Sequence, residues 1–133
     1  MFELVHHTAD VRLRVEAPTV EDLFRDAVRG MYAVMRGSPA AGERVQRTIA
    51  VDDSADTTAL LVDFLNEVLN RAHIGRELFD SVTFTRFEER SLTAELTGTA
   101  DAEFEEDVKA VTYHEAEVRF VNDRWQTMLV FDL

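Results

Sequence analysis

A chain of 133 residues, 46% hydrophobic and 30% charged, has material for one hydrophobic core and is too short for two ordinary ones. Its net charge of -12 repels phosphate backbones and disfavours autonomous nucleic-acid binding unless basic side chains gather on one face. The lack of cysteine excludes disulfides and thiolate metal sites. No apolar run reaches the roughly 18 residues of a membrane span, and the start shows no signal-peptide pattern, so a cytoplasmic location is expected.

Phe2 to Val5 reads as a short strand, interrupted by the polar stretch His6-His7-Thr8-Ala9-Asp10. From residue 11 the pattern alternates. Val11, Leu13 and Val15 share one face and Arg12, Arg14 and Glu16 the other, which predicts a half-buried strand ending at Pro18. Thr19 is a suitable N-cap, with Glu21 and Asp22 in the first turn of the helix it opens. Leu23, Phe24, Ala27, Val28, Met31, Tyr32 and Met35 follow at helical spacing until Gly37 and Pro39. That stripe is core packing, and no cofactor box is visible in it.

Residues 38–43 predict a loop and Val45 to Val51 a strand. Asp56 caps a second helix whose apolar stripe is Leu60, Leu61, Phe64, Leu65, Val68, Leu69 and Ala72, with Gly75 as its stop. Asp63, Asn66, Glu67 and Asn70 fall off the stripe and read most simply as a solvated face. His73 near the helix end opposes the dipole favourably. Beyond Gly75 the period becomes two. Strands are expected around Val82–Arg86 and Leu92–Leu96, joined as a hairpin by residues 88–91. An acidic connection follows over 98–107, then a strand region through Val111 and Tyr113 into Glu115–Val121, a turn at Asn122-Asp123 and a last strand from Arg124 to Leu133. The expected fold is α+β, one domain over 1–133, with two helices packed on a mainly antiparallel sheet in the order β-β-α-β-α-β-β-β-β.

Lys109 is the single lysine among 14 basic residues, and His114 lies five positions on. On a strand their side chains alternate to opposite faces, so only a bend or strand end brings them together. The plain alternative is a surface Lys and a His at a sheet edge. Asp132 ends an apolar strand, beside the carboxylate of Leu133, and Asp10 supplies a third oxygen donor if its strand neighbours the last one. Such a carboxylate cluster favours a hard divalent ion (Ca²⁺, Mg²⁺ or Mn²⁺), and His7 or His114 would tilt it toward Mn²⁺ or Zn²⁺. The pattern alone equally allows three solvated acids among the 26 acidic residues. Phosphate loops, nucleophile elbows and the H-E-x-x-H pattern are absent.

Three separated motifs, His7-Thr8-Ala9-Asp10-Val11, Val108-Lys109-Ala110-Val111-Thr112-Tyr113-His114 and Phe131-Asp132-Leu133, closely resemble the archease family, and Leu60 to Glu67 looks like that family's second helix. The resemblance covers essentially the whole chain. It implies an α+β protein cofactor with no activity of its own, one that assists an RtcB-type tRNA-splicing RNA ligase. It implies that the protein promotes the ligase's GTP-dependent guanylylation with a divalent metal and allows repeated turnover, meeting RNA only through the ligase. By motif match, Asp10, Asp132 and the Leu133 carboxylate would hold the metal and Lys109 and His114 would act on the partner, with His6, His7 and Asp63 as neighbours. The chain departs from the family at His6, where an acid is common, and at Arg12, where Gly is common and where Gly-only backbone angles would be a difficulty. Two other classes remain open: a metal-dependent phosphoester hydrolase with His114 as general base, and a plain metal-binding or chaperone-like module.

Overall fold

The computed structural model describes residues 1–6, 10–39 and 42–133, with Val5 and His6 as backbone only. Strand β1 (Phe2–His6) pairs antiparallel with β2 (Asp10–Ala17), where Val11, Leu13, Val15 and Ala17 are buried, as the alternation predicts. Helix α1 (Val20–Val34) starts where Thr19 accepts a hydrogen bond from the Asp22 amide at 3.1 Å, and it packs on β2 with Leu23, Phe24, Ala27, Val28 and Met31 buried. Gly30 marks the closest approach, since a Cβ there would clash with a methyl of Leu13.

The two-residue strand β3 (Gly37–Ser38) falls at the start of the expected loop. β4 (Arg44–Val51) leads to α2 (Thr57–Gly75), capped by Asp56 onto the Ala59 amide at 2.8 Å. Gly75 is the last helical residue. The left-handed position after it is taken by Arg76 (φ 51°), whose amide caps the Arg71 carbonyl. β5 (Leu78–Phe87) and β6 (Leu92–Thr99) form the expected hairpin. β7 (Glu103–Phe104), β8 (Ala110–Thr112), β9 (Arg119–Val121) and β10 (Arg124–Asp132) complete the chain. Asn122 and Asp123 both take positive φ in the two-residue β9–β10 turn, as a tight hairpin requires.

The class is the expected α+β, but the antiparallel strands form three sheets. One has the order β1-β2-β10-β8, with β9 also on β10; a second is β4-β6-β5; the third is the ribbon β3-β7 inside the expected loop and acidic connection. The strand expected over 115–121 is confined to 119–121. Residues 113–118 leave the ladder: the Glu117 amide donates to Thr127 Oγ1 of β10 at 3.3 Å, and Tyr113 and Val118 bond to α2. The helices and the inner faces of the two larger sheets enclose the core, where Phe24 packs on Phe64, Phe84 and Phe87.

Candidate functional site

Three motifs far apart in sequence meet at one end of the five-stranded sheet. Asp132 on β10 pairs in register with Asp10 on β2 and with Ala110 on β8. Directly opposed residues of an antiparallel pair carry their Cβ atoms on the same face about 5 Å apart. Asp10 and Asp132 are thereby set side by side on the face turned away from the core, because Val11 and Phe131, their neighbours in the chain, are buried on the other face. Lys109, immediately before β8, donates its amide to the Asp132 carbonyl at 2.8 Å, so the single lysine is fixed at this corner. Its side chain is exposed, as are Asp132 and Leu133.

His114 is exposed as well, in the loop after Thr112. About 10 Å of strand separates it from Lys109. The antiparallel register directs that end of β8 toward the middle of β10, away from the paired acids. The structure thus brings Asp10, Asp132 and the backbone of Lys109 together and leaves His114 at the far end of β8. His7 lies outside the described residues, and His6 is placed only as the end of β1, opposite Val11.

The motif segment is held by α2. Asn66 clamps Val111 from both sides: its amide donates to the Val111 carbonyl and its carbonyl accepts from the Val111 amide, each at 2.9 Å. This imitates the ladder partner that β8 lacks on that edge. His73 Nε2 lies 2.8 Å from the Val108 carbonyl, which only accepts, so Nε2 carries the proton. The Val118 amide donates to Thr58 Oγ1 at 2.9 Å. The Tyr113 hydroxyl donates to Asp63, whose other oxygen accepts from Ser54 Oγ at 2.8 Å. The Asp63 hydrogen bond, followed by desolvation, raises the Tyr113 pKa to about 12. Asp63 is therefore a neighbour of the motif, and Asn66 is not part of a solvated face, whereas Glu67 and Asn70 are exposed. Positions 58, 63, 66 and 73 fall within an arc of about 140° on a helical wheel. That arc is the signal that would have exposed the polar stripe.

Arg12 also differs from expectation. It sits inside β2, is not among the residues of positive φ, and meets no Gly-only backbone requirement. It is in register with Val130, which in turn opposes Thr112. Its Nη2 pairs with Glu115 at 2.8 Å. Arg12 Nε, Thr112 Oγ1 and Asp10 Oδ1 are sealed from solvent without a hydrogen-bond partner, and no other side-chain atom among the described residues is in that state. All three belong to the outer face of β2-β10-β8, in two adjacent cross-strand rows.

Among the described residues, no three His, Asp or Glu side chains converge as a metal-holding group. The corner is nonetheless chemically suited to a hard divalent cation: its two carboxylates offer oxygen donors only, and one oxygen is buried without a partner. No helix of the described residues is long and apolar enough to cross a membrane.

The chain matches the archease protein family (MTH1598/TM1083) over residues 2–133. It is 32% identical over 144 residues to an archease of Methanopyrus kandleri, with 99% of each chain covered. It is 29% identical over 140 residues to one of Methanosarcina barkeri, with 99% of this chain and 95% of the relative covered. Its fold is similar to the crystal structure of a Thermotoga maritima archease described as a possible chaperone (TM-score 0.72, 19% identity, 97% and 94% coverage). It is also similar to the solution structure of Methanobacterium thermoautotrophicum protein 1598 (TM-score 0.71, 25% identity, 99% and 98% coverage). Matched by the family model along nearly its full length, this chain belongs to the archease family.

Proposed function

We propose that this protein is a cofactor for an RtcB-type RNA ligase, with no turnover of its own, and that it promotes the ligase's GTP-dependent guanylylation and repeated use in the cytoplasm. The observation that supports this reading most is the convergence of Asp10, Asp132 and the Lys109 backbone, from three motifs far apart in sequence, at one corner of the sheet. Asp10, Asp132 and the Leu133 carboxylate would hold a divalent ion, Ca²⁺, Mg²⁺ or Mn²⁺, and that ion would neutralise phosphate charge in the partner's site. Lys109 adds a compact, mobile positive charge beside it. His114, farther along the motif, would meet a second part of the partner. The net charge of -12 suits approach to a basic RNA channel, so RNA is met only through the ligase.

The test is a guanylylation assay with a supplied ligase. Lys109→Ala should abolish stimulation with a nearly unchanged melting temperature, and Lys109→Arg should restore little of it, since a planar fork does not replace a point charge. Full stimulation by Lys109→Ala removes Lys109 from the mechanism, and full stimulation by Lys109→Arg counts against a geometrically specific role for it. Phosphoester turnover by the protein alone, lost in a His114→Ala variant, would support the hydrolase reading instead.

A further inference from the structure

Arg12 uses only half of its guanidinium fork. A carboxylate satisfies Arg best when both oxygens accept in parallel from Nε and an Nη. Glu115 takes Nη2 alone at 2.8 Å and leaves Nε buried and unpartnered. The Thr112 hydroxyl, in the same cross-strand row, is equally sealed and unpartnered. Val130 lies between them on the outer sheet face, is 2% exposed and stands outside the main core cluster, so this part of the outer face is covered. Glu115 itself lies in the left-handed region (φ 59°), an unfavourable conformation for a residue other than Gly, Asn or Asp. Farther along the same face the structure opens into a groove of about 370 Å³ lined by Arg14, Glu115, Glu117 and Met128 among others.

We propose that Arg12 and Thr112 form a seat for a phosphate-type oxyanion, and that Glu115 is an internal carboxylate occupying it in the isolated chain. A phosphate has the oxygens to accept from Nε, Nη2 and the Thr112 hydroxyl at once, which one carboxylate held by a turn does not achieve. Displacing Glu115 releases the left-handed turn and opens the seat toward the groove. The paired acids Asp10 and Asp132 occupy the next row, so a cation on them would attract the same phosphate. That the phosphate belongs to a nucleotide in a partner's site rests on the proposed ligase-cofactor reading; the seat itself does not.

The experiment is calorimetric titration of inorganic phosphate, and separately of guanosine triphosphate, into the wild-type protein and variants without divalent cations, so that neither the metal nor the ligase reading enters. Glu115→Gln should bind inorganic phosphate at least about fivefold more tightly than the wild type, the scale of one ion pair near a surface. Arg12→Lys in that background should lose most of the gain, and Arg12→Gln or Thr112→Val should weaken binding further or abolish it. Tighter binding of guanosine triphosphate than of phosphate assigns the seat to a nucleotide phosphate, and equal binding assigns it to free phosphate. A Glu115→Gln protein that binds no more tightly than the wild type, or whose binding survives Arg12→Gln, overturns the seat and leaves Arg12–Glu115 as a surface ion pair.

Discussion

The two larger sheets treat their polar groups in opposite ways. On β4-β6-β5 the charged side chains largely satisfy one another. Arg44 pairs with Asp80 through both ends of its fork (2.7 and 3.1 Å) and lowers the aspartate's pKa, Arg86 reaches Asp52 at 2.5 Å, and Thr48 donates to Glu95 at 2.9 Å. Nearby, Arg47 closes its fork on the buried Glu77 (Nη2 to Oε2 2.7 Å). On β1-β2-β10-β8 the three sealed, unpartnered side-chain atoms of the described residues lie together, and two aspartates face each other across adjacent strands. Buried polar groups in folded proteins are normally satisfied, so this concentration of exceptions is what sets the second sheet apart and what the proposed site rests on.

The comparison breaks most visibly at Glu77, whose side chain is 7% exposed. Glu77→Ala removes a charge-assisted fork and should cost about 2–3 kcal/mol, read as a shifted midpoint in urea unfolding. Ligase stimulation measured well below the transition should stay at the wild-type level. If this variant loses stimulation while folded, the division of labour between the sheets is wrong.

Asn66 tests the junction between fold and site. Asn66→Ala leaves the Val111 amide and carbonyl without their side-chain clamp, at a cost of about 1–2 kcal/mol. Hydrogen exchange should accelerate at residues 108–113 and remain slow at β5 and β6. Stimulation should fall because Lys109 is placed through β8. Unchanged exchange in the motif would show that pairing with β10 alone holds it.

Asp10 sharpens the contrast by its sign. Asp10→Asn removes one of two facing charges, so the metal-free protein should gain slightly, by less than about 1 kcal/mol, while divalent-ion affinity measured by titration calorimetry drops. A charge removed from the paired sheet destabilises, and one removed here does not. Equal ion affinity in wild type and variant would take Asp10 out of the proposed cation site.

What was legible in the sequence follows the range of the interaction. Thr19 and Asp56 cap their helices as expected, because a cap reaches an amide three residues away. The alternation of β2 and the 88–91 hairpin are equally local. The pairing of Asp10 with Asp132 depends on β2 and β10 being neighbours, and the register meets that condition. Asn66 was not legible: its partner is 45 residues away and is backbone, so nothing in the partner's side chain announces it. The division into separate sheets escaped for a related reason, since β3 and β7 are two-residue strands that exist only because residues 37–38 and 103–104 meet. At Arg12 the sequence suggests a Gly-only backbone constraint that its place in β2 does not impose; what matters there is the unfinished fork.

The smallest effect expected is at Tyr113, and it is resolved by pH. Its hydroxyl donates to Asp63, and that bond, reinforced by desolvation, holds the phenol protonated to about pH 12 instead of its ordinary 10. A folded-state pKa above the unfolded value means that the folded protein binds the proton more tightly. The stabilisation is complete below about pH 10 and is lost as pH rises from there through 12. Tyr113 is 57% exposed, so solvent screening keeps the contribution below about 1 kcal/mol. Tyr32, whose pKa burial also pushes up, is common to both proteins in the comparison, so its contribution cancels. Tyr113→Phe should therefore begin slightly less stable than the wild type at pH 8 and lose less stability between pH 10 and 12, so that the two curves approach each other. Parallel curves over that interval would mean that the Tyr113–Asp63 bond does not hold the motif loop to α2, and would leave Asn66, His73 and Thr58 as its anchors.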